Sequence, residues 1–240
     1  MTAHPVFICH RDTVGKYCMK YFPTICVDNF FNNPDKVRAF ALGLEYTTSS
    51  EMYAGKRSAE LADINKDFFE VFCHRVLTIL SADRDIEIVK ISARFQKIPR
   101  ISTTHPELNQ GWVHDDGENI FAGIIYLDPT PNPDSGTSLY SLNEGCDAVD
   151  PALSEIKRSL YRGSLEDEQV AVDAIKKHNG KFTETARFNN VYNRLVAYDA
   201  SVFHKANSYD NDEDRLTLVF FLQEYQAVSI PLLRSRQHNI

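Results

Sequence analysis

The pattern of apolar positions divides the chain into a helical N-terminal part and a long β-rich part. Residues 24–27 are typical of a short strand, and a helix is predicted to begin at Asn33 and Pro34, a cap-like residue followed by proline. A second helix is predicted over about 62–81, because its apolar residues recur every three or four positions. Two helices with apolar faces need a flat surface to cover. The apolar face of the first helix comprises Val37, Phe40, Ala41 and Leu44.

The β-rich part begins near residue 85, where apolar and polar residues alternate as far as Phe95. Turn signals rich in Pro, Asn, Asp and Gly separate the strands that follow. Many strands joined by short turns favour a sandwich or jelly roll flanked by the N-terminal helices. The further strands are predicted over residues 118–127, 136–141, 191–199, 202–206 and 216–225.

The segment 143–190 has a different pattern, and we interpret it as a helical insertion in the β-fold. Its central part, 151–178, is charged and begins with Pro151. The segment is too short to bury a core of its own. The apolar residues that indicate its first helix are Leu153, Ile156, Leu160 and Tyr161.

Composition narrows the class of protein. The 240 residues are 43% hydrophobic and 25% charged, as in an ordinary soluble globular protein. The formal net charge of −7 argues against a broad nucleic-acid-binding surface. The sequence contains no run of 18 apolar residues and no recognisable signal peptide. We therefore expect a cytoplasmic protein that binds neither nucleic acid nor membranes.

The cysteines do not predict a disulfide framework or a zinc ribbon. There are five of them, an odd number, and no C-x-x-C motif occurs. We interpret them as free thiols in a reducing compartment, most of them buried. They are Cys9, Cys18, Cys26, Cys73 and Cys146.

An H-x-D pair, His114 and Asp116, is the first sign of chemistry in the sequence. Residues two apart on an extended backbone point to the same face, so this imidazole and carboxylate can bind one metal ion. With eight histidines and 33 acidic residues, one such pair is close to expected by chance. Taken alone, the motif fits a surface turn better than a metal site.

A third ligand is predicted at His204, on a short strand far downstream of the pair. Two histidines and one carboxylate form the facial triad of non-haem Fe(II) enzymes, which leaves metal positions open. A structural zinc site would need four ligands, usually with cysteine, and no cysteine lies near these residues in the sequence. The residues therefore favour a catalytic metal.

Eleven residues after His204, Arg215 begins the last long strand, and Thr217 lies on the same strand face. A guanidinium group can bind a carboxylate through two parallel hydrogen bonds, and a hydroxyl can add another. This pair suits the distal carboxylate of a dicarboxylic co-substrate. The alternative is a surface arginine that pairs with Asp212 or Asp214.

Together these residues resemble the Fe(II)- and 2-oxoglutarate-dependent dioxygenases, and their surroundings are most similar to the prolyl-hydroxylase-like branch. The resemblance covers about residues 85–225 and depends on the order and spacing of the motifs. Two departures are Asn193, where a glycine is usual, and Ser135-Gly136-Thr137, which lacks a second glycine. The segments that carry the likeness, besides His114, Asp116, His204, Arg215 and Thr217, are Ile125–Asp128, Gly136–Leu139 and Arg194–Asp199.

The resemblance implies a mainly β fold with flanking helices (α+β). It is a double-stranded β-helix, of the jelly-roll or cupin-like type, with the N-terminal helices packed on one sheet. It implies a single dioxygenase domain over residues 1–240. Within it, the helical part covers about 24–82, the β-helix core about 85–225 and the insertion about 143–190.

The resemblance also assigns roles to residues. His114, Asp116 and His204 would hold Fe(II), and Arg215 would complete the catalytic set by binding the 5-carboxylate of 2-oxoglutarate. Tyr126 and Thr217 would share that carboxylate, although plain core packing explains Tyr126 equally well. The presence of Asp116 favours hydroxylation over halogenation.

The implied reaction consumes O2 and 2-oxoglutarate, releases succinate and CO2, and hydroxylates an unactivated C–H bond. The substrate would be a small polar metabolite, such as an amino acid, or a peptide side chain. Arg94, Trp112 and Arg57 are the predicted substrate residues, and Gln96 and Asn109 are further candidates at the mouth. For Arg94 the alternative is pairing with a neighbouring acid.

Residues 47–58 and the insertion are predicted lids. The oligomeric state is left open, with a homodimer as one alternative. Two rival functions stay open as well. The first is a non-catalytic jelly-roll protein that binds a metal and a ligand, and the second is a β-sandwich interaction protein without a metal.

Overall fold

The computed structural model describes residues 7–9, 22–47, 53–80 and 86–227. Within these ranges the helices are α1 (Pro34–Leu42), α2 (Leu61–Ile64), α3 (Lys66–Leu80), α4 (Pro151–Arg162) and α5 (Glu168–Asn179). The strands are β1 (Phe7–Cys9), β2 (Ile25–Val27), β3 (Lys56–Arg57), β4 (Ile86–Ile98), β5 (Phe121–Tyr126), β6 (Thr137–Leu142), β7 (Phe182–Phe188), β8 (Leu195–Asp199), β9 (Phe203–Ala206) and β10 (Arg215–Ala227).

The described strands form two sheets in which every pairing is antiparallel. The larger sheet has the order β2-β8-β5-β10-β4-β3, and β1 pairs with one end of β10. The smaller sheet has the order β7-β6-β9. The prediction of a mainly β fold with a few flanking helices is therefore confirmed.

The large sheet is buried on both faces. On its outer face, apolar side chains of α1 and α3 pack against β4, β5 and β10, and Phe72 of α3 lies with its ring centroid 5.4 Å from that of Phe220. On its inner face, a second apolar cluster joins β5, β8 and β10 to Leu139 of the small sheet. The prediction that the N-terminal helices cover one sheet is thus confirmed by their contacts.

The predicted helix over about 62–81 is interrupted in the structure. Asn65 separates α2 from α3 and has an extended backbone, with φ −154° and ψ 93°. Its side-chain oxygen accepts a hydrogen bond from the backbone N–H of Phe68 at 3.0 Å. This is an N-cap interaction, which starts a new helix in place of continuing the old one.

The insertion contains two helices, as predicted, but residues 182–188 form strand β7 and not helix or loop. The sequence Phe-Thr-Glu-Thr-Ala-Arg-Phe lies at the edge of the small sheet and exposes most of its residues. A strand that exposes side chains on both faces has little apolar alternation to predict it. The helices α4 and α5 pack on Leu108 and Trp112, so the insertion is a fixed wall beside the sheets.

Asn193 explains the first departure from the family pattern. Its φ is +63°, a left-handed conformation that favours glycine and that asparagine tolerates better than most residues. The side chain also hydrogen-bonds the backbone of Phe31 through both its oxygen and its nitrogen, each at 2.8 Å. Asparagine therefore fits the turn that glycine would make and ties β8 to the N-terminal segment.

The second departure is the segment Ser135-Gly136-Thr137, which has one glycine, Gly136, where the family pattern has two. A Cβ added at this position would overlap the backbone carbonyl oxygen of Phe188. The strands β6 and β7 approach too closely there for any side chain.

Three cysteines lie where the structure describes side chains, and all three are free thiols. Cys73 and Cys146 are half-buried, whereas Cys26 is exposed, against the expectation that most would be buried. Burial raises the pKa of the Cys73 thiol to about 11, which makes it a poor nucleophile. The side chains of Cys9 and Cys18 lie outside the described residues. None of the described helices has the length and apolar character needed to cross a membrane.

We predict that Phe72→Ala lowers the free energy of unfolding by about 3–5 kcal/mol, because it leaves a cavity between α3 and the sheet. Urea unfolding followed by circular dichroism measures this change. The matched control is Val71→Ala on the same helix, whose side chain is 56% exposed. The control should change the free energy by less than about 0.5 kcal/mol. Equal effects of the two substitutions would contradict the packing described for α3.

Candidate metal centre

A pair of backbone hydrogen bonds brings the two predicted histidines together. The N–H of His114 donates to the carbonyl of His204 at 3.0 Å, and the N–H of His204 donates back at 2.8 Å. This antiparallel bridge is an isolated one, because the segment that carries His114 is not itself one of the ten strands described above. Ninety residues separate the two histidines along the chain, yet they face each other directly.

The neighbouring backbone positions Asp116 in the same way. Its N–H donates to the carbonyl of Ala200 at 2.9 Å, within the turn between β8 and β9. Asp199 holds that turn, since its carboxylate accepts from the N–H of Ser201 at 3.0 Å and from that of Phe22 at 3.1 Å. The turn between β8 and β9 therefore sets where both Asp116 and His204 lie.

The three side chains converge as the H-x-D motif and its distant partner predicted. One ligand atom from each of His114, Asp116 and His204 lies within 4.8 Å of the others. The distance from His204 Nε2 to Asp116 Oδ2 is 3.5 Å, and that from His114 Nε2 to Asp116 Oδ1 is 3.9 Å. Asp116 is only 10% exposed, so the surface-turn interpretation of the motif is wrong.

Each imidazole ring is oriented by a hydrogen bond to a backbone carbonyl. The Nδ1 atom of His114 lies 2.8 Å from the carbonyl oxygen of Trp112, and that of His204 lies 2.9 Å from the carbonyl oxygen of Val202. A carbonyl oxygen only accepts, so each Nδ1 carries a proton, and in the neutral ring Nε2 is then the nitrogen with the lone pair. Backbone carbonyls in this position are typical second partners of metal-bound histidines.

The pKa of His114 lies well below its ordinary value. The first cause is desolvation, although 45% of the side chain stays exposed, and the second is the neighbouring His204. The exposed part of the ring faces a cavity, which it lines. A neutral imidazole at neutral pH is the form that binds a metal ion.

These donors fit a divalent transition-metal ion with open coordination positions. Two neutral imidazoles and one carboxylate match the 2-His-1-carboxylate arrangement of non-haem Fe(II) sites. A closed zinc site would need a fourth protein ligand, and the group found among the described residues has three members. The arrangement is thus suited to a metal that also binds exogenous ligands.

The site opens into a cavity of about 110 Å³ between the sheets and the insertion. His114, Asp116 and His204 line it, and so does Arg215. Arg215 is 2% exposed, and its Nε donates to the carbonyl of Ser135 at 2.8 Å. Its Nη2 is buried without a hydrogen-bond partner, so the alternative of a surface pair with Asp212 or Asp214 is wrong.

Tyr126 and Thr217 lie beside Arg215 as neighbours across β5 and β10. The Tyr126 ring centroid is 5.3 Å from the guanidinium carbon, and its hydroxyl donates to Thr137 Oγ1 at 2.9 Å. Thr137 lines the cavity. The hydroxyl of Thr217 is fully buried and has no hydrogen-bond partner. The structure therefore places Tyr126 against the guanidinium of Arg215 and Thr217 two residues along the same strand, although of these three only Arg215 lines the cavity.

The predicted substrate residues divide into two groups. Arg57, Trp112 and Gln96 line the cavity. Arg94 is directed to Glu60 instead, with 2.8 Å between Nε and Oε1, which is the alternative that the sequence left open. Asn109 is buried and caps the loop before it, since its Oδ1 accepts from the N–H groups of Ile101 and Ser102. Its placement at the mouth was wrong.

Sequence reasoning missed several residues that line the same cavity. Lys157 reaches it from α4 of the insertion, and Tyr198 lies with its ring centroid 4.5 Å from that of His204. Tyr53, Tyr161 and Tyr209 complete the aromatic part of the wall. Tyr198 lies on β8, whose five residues are all buried, so no alternation marked its face, and nothing in the local pattern identified Lys157.

Comparisons with known proteins identify the family of this chain and solved structures with a similar fold. A family model described as a family of unknown function (DUF6445) matches residues 8–222. None of the curated protein sequences matches the chain.

Solved structures match along most of the chain. HygX from Streptomyces hygroscopicus, with nickel, 2-oxoglutarate and hygromycin B bound, has a TM-score of 0.51 at 10% identity, over 86% of this chain and 84% of that one. SnoN, a non-haem α-ketoglutarate-dependent epimerase from nogalamycin biosynthesis, has a TM-score of 0.50 at 10% identity, over 89% and 84%. A Pseudomonas putida prolyl-4-hydroxylase has a TM-score of 0.45 at 14% identity, over 82% and 90%. The predicted resemblance to the 2-oxoglutarate-dependent oxygenases is thus confirmed as a likeness of fold.

We predict that His204→Ala removes metal binding. Titration with Ni(II) or Co(II), followed by equilibrium dialysis, should show one bound ion per wild-type chain. The variant should bind more weakly by well over the roughly 10- to 100-fold that loss of an outer-sphere partner costs.

His74→Ala on the exposed face of α3 is the matched control and should leave affinity unchanged. Wild-type affinity in the His204 variant would exclude this residue from the metal site.

Proposed function

The chain belongs to the family of unknown function DUF6445, and we propose that it is an Fe(II)- and 2-oxoglutarate-dependent oxygenase that hydroxylates an unactivated C–H bond. The observation that carries this proposal is the convergence of His114, Asp116 and His204 within 4.8 Å in one cavity with Arg215. HygX, which shares the fold, binds 2-oxoglutarate, and SnoN depends on α-ketoglutarate. Both relationships support the assignment.

His114, Asp116 and His204 would hold Fe(II), which supplies the activation of O2 when it is bound. The carbonyls of Trp112 and Val202 keep the two Nε2 lone pairs directed into the site. The part of the chain that the structure describes supplies three ligands to this group, which leaves room for a co-substrate that chelates the metal. O2 would be the second co-substrate, consumed as 2-oxoglutarate is converted to succinate and CO2.

Arg215 would bind the 5-carboxylate of 2-oxoglutarate. Its guanidinium is held by the carbonyl of Ser135, while Nη2 lacks a partner within the described structure. A buried cation without an anionic partner is costly, so a carboxylate that binds there gains strongly. The unpartnered hydroxyl of Thr217 would donate a further hydrogen bond, and Tyr126 would support the guanidinium through its ring.

Two further parts of the proposal concern architecture. The two facing sheets would be the halves of a double-stranded β-helix, or jelly roll. Residues 1–240 would make a single dioxygenase domain in which α1–α3 support the outer sheet face. The packing of both sheets around one apolar cluster supports this arrangement.

Substrate would enter on the side of the cavity lined by Arg57 and Trp112. Arg57 lies 3.7 Å from the ring centroid of Tyr53, which keeps its guanidinium at the cavity wall. A small polar metabolite such as an amino acid, or a peptide side chain, fits these polar groups. Arg94 is not part of this proposal, because Glu60 already binds it.

The test is turnover of 2-oxoglutarate. Purified protein reconstituted anaerobically with Fe(II) and 2-oxoglutarate should develop the visible charge-transfer absorption of their chelate, and admission of O2 should release succinate. Metal and 2-oxoglutarate binding without any succinate, across a broad panel of small molecules and peptides, would instead support a non-catalytic binding protein. Absence of metal binding would contradict both.

We predict that Arg215→Ala raises the requirement for 2-oxoglutarate far more than that for iron. The apparent KM for 2-oxoglutarate should rise by roughly ten- to a hundredfold, because a charge-assisted hydrogen bond is lost. Succinate release at varied 2-oxoglutarate and at varied Fe(II) measures both requirements.

Arg100→Ala is the matched control for this prediction, since Arg100 forms a half-exposed pair with Asp210. It should leave both requirements unchanged. Equal increases in the iron and 2-oxoglutarate requirements of Arg215→Ala would argue against a carboxylate-binding role for Arg215.

A further inference from the structure

The charged groups that line the cavity are unevenly balanced. Arg57, Lys157 and Arg215 bring three cations to its wall, whereas Asp116 is the one carboxylate among the described lining residues. This excess of positive charge contrasts with the chain as a whole, whose formal net charge is −7. A positive local field in a protein of negative net charge indicates that this cavity prefers anionic ligands.

Lys157 has no acidic partner on its own helix. The positions three and four residues away are Leu153, Ser154, Leu160 and Tyr161. The nearby Glu155 pairs instead with Arg158 and Arg162. Within the described residues Lys157 forms no ion pair, and its ammonium lies 5.9 Å from the ring centroid of Tyr161.

The position of Lys157 is set by the packing of the insertion. Tyr161, one turn further along α4, lines the same cavity and hydrogen-bonds Tyr209. Leu153 of α4 packs in the cluster that contains Trp112. Burial lowers the pKa of Lys157 to about 8, and Asp116 partly offsets that effect. The insertion therefore holds a poorly compensated ammonium at the cavity wall.

Arg57 is a second cation that forms no ion pair within the described residues. Its Nε is buried and has no hydrogen-bond partner, and its guanidinium contacts the rings of Tyr53 and Phe221. Two carboxylates act on it electrostatically, those of Asp116 and Glu60, and Glu60 is already bound to Arg94 and Ser92. Burial also lowers the pKa of Arg57.

The proposed cofactors do not neutralise these two residues. A divalent ion and Arg215 together balance Asp116 and the two carboxylates of 2-oxoglutarate. Arg57 and Lys157 are then left without an ion-pair partner among the described residues. Both side chains are half-buried on the cavity wall, and a charge partly withdrawn from water gains from an opposite charge that binds beside it.

We propose that Arg57 and Lys157 together bind a carboxylate of the substrate, so that the substrate is a small carboxylic acid such as a free amino acid. The reaction of this substrate rests on the proposed function, whereas the binding test described below does not depend on it. It excludes an internal peptide side chain whose only charges lie elsewhere. It also gives the insertion a direct part in substrate recognition through Lys157.

The chain carries its own reporter of binding, because Trp112 is its one tryptophan and lines this cavity. Tryptophan fluorescence of the metal-free protein, and of the Zn(II) protein with 2-oxoglutarate, would be titrated with free L-amino acids and with their primary amides. Inorganic phosphate would be titrated as a competing oxyanion. We expect at least one acid to change the fluorescence with saturation, and its amide to bind at least about tenfold more weakly, because the charge-assisted hydrogen bonds are lost.

Lys157→Gln should weaken binding of that acid by about tenfold or more and leave 2-oxoglutarate binding unchanged. Lys157→Arg should restore most of the affinity, which separates loss of charge from altered packing of α4. Lys177→Gln on α5 is the matched control, since this side chain is 68% exposed and carries the same charge. Far-UV circular dichroism would establish that each variant is folded.

Several results would overturn the proposal. They are equal binding of acids and amides, no response to any acid up to its solubility limit, tighter binding of phosphate than of every acid, or weakened binding of 2-oxoglutarate by Lys157→Gln. The titration of the metal-free protein needs neither iron nor turnover. Failure to release succinate would therefore count against the proposed reaction alone, and loss of acid preference would count against the carboxylate site alone.

Discussion

The reciprocal backbone hydrogen bonds between His114 and His204 are the interaction on which the whole site depends. They align two segments that are distant in sequence, and the next contact, from Asp116 to Ala200, follows from the same alignment. Side chains on an extended backbone then point the same way without further adjustment. A few ordinary main-chain bonds thus bring two imidazoles and a carboxylate to one point, and the side-chain contacts of the rings only refine their orientation.

The large sheet has to be apolar on its outer face and partly polar on its inner face. Helices α1 and α3 seal the outer face, where aromatic rings such as Phe72 and Phe220 meet. The inner face can then bury Arg215 and Thr217 beside apolar neighbours such as Val219. Burying a guanidinium lowers the free energy of unfolding. The apolar packing of the N-terminal helices offsets that cost, so the fold tolerates this polar site.

The insertion forms one wall of the cavity. Helix α5 is hydrogen-bonded to the segment that carries His114: Asn179 accepts from the N–H of Val113 at 2.9 Å, and His178 Nε2 lies 2.6 Å from the carbonyl oxygen of Val113. Such contacts make the insertion a structural wall of the metal site as well as a cover. Through Lys157 the same wall adds positive charge to the cavity.

The sequence by itself determined the order of most strands, the N-terminal helices and the identity of the converging residues. Local alternation reports which residues share a face of one element, and the H-x-D, His and Arg-x-Thr motifs lie on such faces. It missed β7, because a polar edge strand has no strong alternation, and it missed the cap at Asn65. Only the tertiary structure decided that Glu60 takes Arg94, that Asn109 holds a loop and that Lys157 reaches the cavity. Those outcomes depend on how separate elements pack across each other, and periodicity along one element carries no information about that.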